Sequence, residues 1–296
     1  MTAHDNSTVQ WLLEDDNPAV KYRTQTEILG ETADKSPVVA WVNDFLPADW
    51  TEREGLWSTY YLNTFAESGL TFEDIPLDKE KAIHFGTAYR FEHNCGDYMR
   101  LRALVRLGLA EDAVNIVHES AGKQLPDGGF LCLHRLEKLK RIPKSCVKAN
   151  MYALMFCAEC RKKGIKTDIE EPLLDYFWNH NLFYRTANPD TLILNAREGW
   201  RTIDTFYPFE VMRVGLQNII ESFCALGYGN DPRLNEAWSI LYSKKTSDGK
   251  FILNGTLTKS YLPKERVGKP SKWVTFYAML AEKEKNQNRQ NSEFKT

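Results

Sequence analysis

The chain has 296 residues and a formal net charge of −2, and 43% of its residues are hydrophobic and 12% aromatic. A slightly acidic chain has no overall electrostatic attraction for nucleic acid, and no segment approaches the roughly 18 consecutive apolar residues of a membrane-spanning helix. Residues 1–10 are polar and lack the apolar stretch of a signal peptide, so we expect a cytoplasmic protein. The six cysteines are then expected to be reduced thiols or metal ligands.

Helix start and stop signals recur along the chain. Asn17 followed by Pro18 is typical of a helix N-cap and first helical position, and Gly30 stands where a helix ends. The same signals and the spacing of apolar residues predict helices over 58–68, 97–107, 147–160, 210–226, 233–244 and 271–282. Alternation typical of strands is rare, so we predict an all-α fold in one domain over residues 1–283. The polar residues 284–296 are predicted to form a disordered tail.

Two stretches of the chain repeat each other. Each contains a helix, an Asp-Gly turn that ends in Phe, a basic loop, and a Pro and Ser that open another helix; the turns are residues 127–130 and 248–251. Duplication on this scale indicates a fold of repeated helix hairpins, in which each hairpin buries its apolar face on its neighbours. A closed (α/α) toroid and an open helical solenoid are both compatible with this periodicity, and the toroid is our prediction.

The Asp127-Gly128-Gly129-Phe130 turn resembles the repeats of the terpenoid cyclase and protein prenyltransferase β-subunit superfamily. Segments 11–23 and 268–274 look like segments of small squalene-cyclase-like proteins, so the resemblance extends from residue 11 to about residue 283. It implies an (α/α) toroid whose inner helices line a cavity for an apolar or isoprenoid-type molecule. The DxDD motif of class II cyclases and the DDxxD motif of class I synthases are absent from the sequence, so those two reactions are not expected.

The resemblance also implies a zinc site. Prenyltransferase β subunits bind zinc through an Asp, a Cys and a His, and Cys146 matches the region of that cysteine. Zinc favours thiolate and imidazole ligands. The candidate ligands lie in loops that lead into predicted helices: Cys95, Cys132, Cys146 and His134, with His93 as an alternative to His134. The other interpretation is that these thiols fill tight helix junctions as compact apolar groups. Cys157 and Cys160 lie within an apolar helical run and are predicted to be core residues.

The loops at 134–148 and 259–272 are strongly basic although the chain is acidic. If both lie at one end of the toroid, they form a positive mouth over an aromatic interior, which suits an amphiphile with an anionic head. The candidate ligand-binding residues are Trp57, Tyr60, Tyr61, Lys144, Tyr207, Lys272 and Trp273. The alternative is that the charges are solvated and the aromatic residues belong to the core.

The candidate catalytic acids are Asp204 and Glu210, which lie in predicted loops or at a helix start. Glu210 is also explained as a carboxylate that favours a helix N-terminus. Together with Glu198, these acids are the carboxylates that a sugar-active (α/α) barrel needs, which is one alternative function. A non-catalytic helical-repeat scaffold that binds an acidic protein through the basic loops is another.

Overall fold

The computed structural model describes residues 3–53, 56–75, 77, 79–87, 95–118, 124–131, 145–185, 188–192, 201–208, 213–256 and 262–293. Its helices are α1 (Ala3–Leu12), α2 (Pro18–Arg23), α3 (Ser36–Phe45), α4 (Leu56–Glu67), α5 (Lys79–Thr87), α6 (Cys95–Arg106), α7 (Ala110–His118), α8 (Val147–Lys162), α9 (Glu170–Asn179), α10 (Leu216–Ala225), α11 (Asn235–Tyr242) and α12 (Lys272–Glu293). A π-helix, Thr24–Leu29, continues α2, and short 3-10 helices lie at Trp50–Glu52, Phe72–Asp74 and Pro232–Leu234. Strands β1 (Tyr184–Arg185) and β2 (Asn188–Leu192) form one antiparallel pair. The fold is therefore mostly helical, as predicted.

Local signals place several of the helix ends. The Asn17 side chain accepts a hydrogen bond from the Val20 amide at 3.1 Å, with Pro18 in the first turn of α2. The predicted glycine stops all have left-handed φ angles: Gly30, Gly69, Gly108 and Gly227. Within the described part of the chain, no helix is both long enough and apolar enough to cross a membrane.

Two helix boundaries differ from the prediction. α10 begins at Leu216 rather than near residue 210, because Gly215 has an extended backbone and acts as the N-cap; residues 210–212 lie outside the described residues. α12 continues to Glu293, through most of the segment predicted to be a disordered tail. The beginning of this extension contacts the rest of the chain, since Asn230 Nδ2 donates a hydrogen bond to the Lys285 carbonyl at 2.9 Å.

Burial separates the helices into two sets. Every side chain from Asp97 to Val105 in α6 is buried, and so is every side chain from Leu216 to Cys224 in α10. In contrast, only one face of each of α3, α7 and α11 is buried. We call α2, α4, α6, α8, α10 and α12 the interior helices and the others the outer helices.

The interior helices pack on one another in chain order. α4 packs on α6, α6 on α8, α8 on α10 and α10 on α12, and α12 contacts α2 and the π-helix that follows it. The outer helices α3, α5, α7, α9 and α11 each contact the interior helix beside them in the chain. The buried apolar side chains form one continuous cluster from Leu12 to Ala281.

The sequence repeat is also a repeat of hydrogen bonds. The Phe130 amide donates to Asn150 in the first turn of α8 at 2.8 Å, and the Phe251 amide donates to Thr275 in the first turn of α12 at 2.9 Å. In each copy, the carbonyl of the same phenylalanine accepts the amide of the residue directly before the helix, at 2.7 and 2.9 Å. The two Asp-Gly turns therefore fix the starts of two interior helices in the same way.

Candidate functional site

Buried charged side chains connect the interior helices, and those of α4, α6 and α8 lie near the C-terminal ends of these helices. Arg102 of α6 pairs with Glu67 of α4 and, at 3.3 Å, with Glu159 of α8. Arg106 reaches Glu159 at 2.7 Å. Burial alone raises the pKa of the Glu159 carboxyl, but Arg106, Lys162 and Arg102 together hold that pKa below its usual range. Buried ions of this kind are stable only when they are closely paired.

The same cluster joins the first and last interior helices. Arg23 of α2 donates to the Glu67 carbonyl at 3.0 Å and to the Tyr277 hydroxyl of α12 at 3.1 Å. Its guanidinium also pairs with Glu27 at 2.9 Å. The Tyr277 hydroxyl in turn donates to the Glu67 carboxylate. One arginine and one tyrosine therefore link α2, α4 and α12.

Lys162 of α8 extends the cluster to α10 and α12 by pairing with Glu221 and, at 3.4 Å, with Glu284. We call the whole cluster the ionic layer; its members are Arg23, Glu27, Glu67, Arg102, Arg106, Glu159, Lys162, Glu221, Tyr277 and Glu284. It contains four cations and five carboxylates. Burial raises the pKa of Glu284 to about 8. A proton on Glu284 therefore balances the charge of the layer at neutral pH.

The predicted aromatic residues differ in their surroundings. Tyr61 is fully buried and lies edge-on to Trp50, with 5.6 Å between ring centres. Tyr207 is buried and donates from its hydroxyl to the Pro263 carbonyl at 3.0 Å. Trp273 is fully buried, whereas Tyr60 is half-buried. The Trp57 side chain lies outside the described residues.

The charge of Lys272 is compensated within the chain. Its ammonium is buried, pairs with Glu14 at 3.1 Å and with Asp16, and lies 5.4 Å from the centre of the Trp11 ring. These contacts tie the start of α12 to α1 and the turn that follows it. Lys144, the other lysine of the predicted positive mouth, lies outside the described residues. The contacts of Lys272 therefore favour a structural role for this charge, and the mouth stays a prediction.

The predicted zinc ligands fall partly outside the described residues. Cys95 and Cys146 are half-buried at the starts of α6 and α8, as expected, while Cys132, His134 and His93 are not described. Among the described residues, no three His, Cys, Asp or Glu side chains are grouped so that they hold a metal ion. The zinc site stays a prediction. Cys157 and Cys160 are buried in α8, which confirms them as core residues.

Asp204 is a buried carboxylate with two basic neighbours. Arg201 lies 2.8 Å away and Lys244 3.7 Å away. Its carbonyl accepts the Leu216 amide at 2.9 Å, so this loop is fixed to the start of α10. Glu210 and Glu198 lie outside the described residues. The contacts of Asp204 are those of a residue that fixes a loop, and its catalytic role stays a prediction.

Two adjacent amides in the first turn of α10, Gln217 and Asn218, were not among the predicted site residues. The Gln217 Nε2 donates to the Phe206 carbonyl at 2.8 Å and to Asn218 Oδ1 at 3.2 Å. Within the described residues, Gln217 Oε1 and Asn218 Nδ2 have no hydrogen-bond partner although both side chains are buried. Asn63 of α4 is also buried, and its Oδ1 has no hydrogen-bond partner among the described residues. A signal was present in the sequence, because these amides, Glu221 and Ser222 form a polar stripe along an otherwise apolar helix.

The carboxyl group of Glu265 lies at the N-terminus of α12. It accepts the Lys272 amide at 2.7 Å and a hydrogen bond from the Ser271 hydroxyl. Burial raises the pKa of this carboxyl to about 7, and the nearby Asp16 acts in the same direction.

We expect Glu265 to make the folded chain less stable as the pH rises from about 4.5 to 7. The folded state binds this proton more tightly than the unfolded chain, whose carboxyl has a pKa near 4.5. The stabilising contribution is therefore complete below about pH 4.5 and is lost as the pH passes 7. Urea unfolding between pH 5 and 7 should show this slope, and Glu265→Gln should reduce it. If the free energy of unfolding depends on pH in the same way in both proteins, Glu265 is not the group that causes the slope.

Comparison of the chain with family models, with curated proteins and with solved structures found no match.

Proposed function

We propose that the interior helices close into an (α/α) toroid that binds a small molecule with a largely apolar body. The order of packing supports closure, because each interior helix contacts the next and α12 contacts α2. The hydrogen bond from Arg23 to the Glu67 carbonyl joins α2 to α4. Each interior helix is then linked to two other interior helices. α1 takes the position of a sixth outer helix beside α12, since Thr8 donates to the Asp248 carbonyl at 3.1 Å in the second Asp-Gly turn.

The ionic layer supports a toroid with one closed end. Glu67 is the last residue of α4, and Arg106 and Lys162 lie in the last turns of α6 and α8. Helices that place their C-terminal ends in one layer run in the same direction. Their N-terminal turns then lie together on the other side of the layer, where the Asp-Gly turns fix the starts of α8 and α12.

The residues just above the ionic layer have the composition of a ligand site. Positions four residues before Glu67, Glu159, Glu221 and Tyr277 lie on the same helix faces as those residues. They are Asn63, Met155, Gln217 and Trp273. Small-molecule sites are lined mainly by apolar and aromatic side chains with a few polar groups that fix orientation. The unpartnered amide oxygens of Asn63 and Gln217 are the observation that carries this proposal.

The resemblance to terpenoid cyclases and prenyltransferases indicates an isoprenoid as the apolar body. Lys272 is neutralised by Glu14 and Asp16, so the structure supports binding of the apolar part more strongly than recognition of a diphosphate. Binding of this kind does not require zinc. The reaction, if the bound molecule is converted, would act on that isoprenoid.

The proposal predicts that the purified protein binds farnesol, an isoprenoid alcohol, saturably and unfolds at a higher temperature in its presence, because a ligand that binds only the folded state stabilises it. Met155→Trp should fill the site and weaken binding at least about tenfold, which corresponds to about 1.4 kcal/mol. Calorimetric titration measures the affinity, and native mass spectrometry of the purified protein tests for a retained ligand.

The matched control is Phe45→Trp, which places the same ring at an exposed position of outer helix α3 and should leave binding unchanged. Circular dichroism establishes that both variants are folded. If the wild-type protein neither binds farnesol nor retains a ligand, the site is not an isoprenoid site, and a scaffold that binds an acidic protein becomes the better explanation.

A further inference from the structure

Hydrogen bonds fix the orientation of the two amides at the start of α10. Gln217 Nε2 faces the Phe206 carbonyl at 2.8 Å, and a flipped amide would place two acceptors against each other. Asn218 Oδ1 accepts the Gly215 amide and Gln217 Nε2, both at 3.2 Å, so its orientation is fixed as well. Two polar groups of the pair therefore have no hydrogen-bond partner among the described residues: an acceptor, Gln217 Oε1, and a donor, Asn218 Nδ2.

Gly215 allows the Gln217 side chain to take this position. A Cβ atom at Gly215 would lie 2.2 Å from Gln217 Oε1 and 2.6 Å from the amide carbon. The amide thus lies directly over the glycine. The φ angle of Gly215 is −87°, which any residue can adopt, so the backbone conformation does not require glycine. Glycine is required because a Cβ atom at this position would overlap the Gln217 amide.

Phe206, whose carbonyl accepts the hydrogen bond from Gln217 Nε2, is fixed from two sides. The Arg213 guanidinium lies 5.2 Å from the centre of the Phe206 ring, and the Arg213 carbonyl accepts a hydrogen bond from Tyr152 of α8 at 3.3 Å. Phe206 also forms a bridge with Gly255, close to the loop that leads to α12. The contacts of Phe206 with Arg213 and Gly255 therefore hold in place the carbonyl that Gln217 Nε2 faces.

Folded proteins rarely leave buried polar groups without partners, because such a group loses its hydration without gaining a hydrogen bond in return. Gln217 is 0% exposed and Asn218 is 3% exposed. A hydroxyl group offers one donor and acceptor lone pairs, so it can satisfy both amides at once. A fully ionised phosphate has only acceptor oxygens, so it could not donate a hydrogen bond to Gln217 Oε1.

We propose that Gln217 and Asn218 form a subsite for a hydroxyl group of the bound molecule, with Gln217 Oε1 as its acceptor and Asn218 Nδ2 as its donor. This inference rests on the proposed function and narrows its ligand to a neutral, hydroxyl-bearing isoprenoid-type molecule.

The experiment compares farnesol with its methyl ether, which keeps the oxygen and the apolar body but has no O–H to donate. The wild-type protein should bind farnesol about tenfold more tightly, since one buried hydrogen bond contributes on that order. Gln217→Leu should reduce this preference to about one. Gly215→Ala should reduce it as well, because the new Cβ displaces the Gln217 amide; it serves as the second test if Gln217→Leu does not fold.

The matched control is Gln124→Leu. Gln124 also donates to backbone carbonyls, those of Gly128 at 2.6 Å and Ile169 at 3.2 Å, but it lies before α8 rather than in α10. This variant should keep the preference for the alcohol. Equal wild-type affinities for the two probes, or a preference that survives in both Gln217→Leu and Gly215→Ala, would overturn the subsite while leaving the proposed function standing. Binding of neither probe would overturn both.

Discussion

Arg102→Met is expected to lower the free energy of unfolding by about 3–5 kcal/mol, the usual cost of removing one partner of a buried ion pair. Arg102 is 1% exposed and contacts the carboxylates of Glu67 and Glu159. Methionine fills much of the volume of the arginine stem but leaves both carboxylates without this cation. Since Glu284 carries a proton at neutral pH, the ionic layer would then hold four ionised carboxylates against three cations.

Urea unfolding at pH 7, followed by circular dichroism, measures this loss. The control is Lys166→Met, which removes the exposed partner of Glu171 and should change the stability by less than about 1 kcal/mol. Adding Glu67→Gln to Arg102→Met should restore part of the stability, because it removes one of the uncompensated charges. A loss no larger than that of the control would mean that water reaches this layer.

The ionic layer could not be predicted from the sequence. Arg102, Arg106 and Glu159 have the appearance of ordinary charged residues on helix surfaces, and their partners come from other helices. The ion pairs of Arg102 join residues 35 and 57 positions apart in the chain. Composition and periodicity contain no information on such pairings. The helix ends at Asn17 and Gly30, in contrast, depend on neighbours within a few residues and were predicted correctly.

The same distinction applies to the candidate site. The basic residues of the two loops predict a positive mouth, and this stays a prediction, but the carboxylates that neutralise Lys272 lie 258 and 256 positions away in the chain and could not be predicted. The start of α10 was misplaced because the N-cap is a glycine, which lacks the side-chain signal of Ser, Asp or Asn. The Gln217–Asn218 pair was visible as polar residues in an apolar helix. Its missing partners became apparent only once the surroundings of both amides were known.

Gly128→Ala should destabilise the protein by about 2–5 kcal/mol. The residue has a φ of +85°, a conformation that costs an L-residue about 1–2 kcal/mol. In addition, the new Cβ would lie 1.9 Å from the carbonyl oxygen of Pro172 in α9. A backbone oxygen within a packed helix cannot move aside as a flexible side chain can, and overpacking of this kind costs about 1–3 kcal/mol more.

Gly108→Ala separates the two contributions, because Gly108 has a φ of +100° but a Cβ there would meet nothing within 4 Å. This control should lose only the cost of the backbone conformation, about 1–2 kcal/mol. Urea unfolding of the two variants under the same conditions gives the difference directly. A larger loss for Gly128→Ala would show that the first Asp-Gly turn packs on outer helix α9 as well as fixing the start of interior helix α8. Equal losses would mean that the turn and α9 can separate at little cost, and the hairpins of the proposed toroid would then be joined mainly through their interior helices.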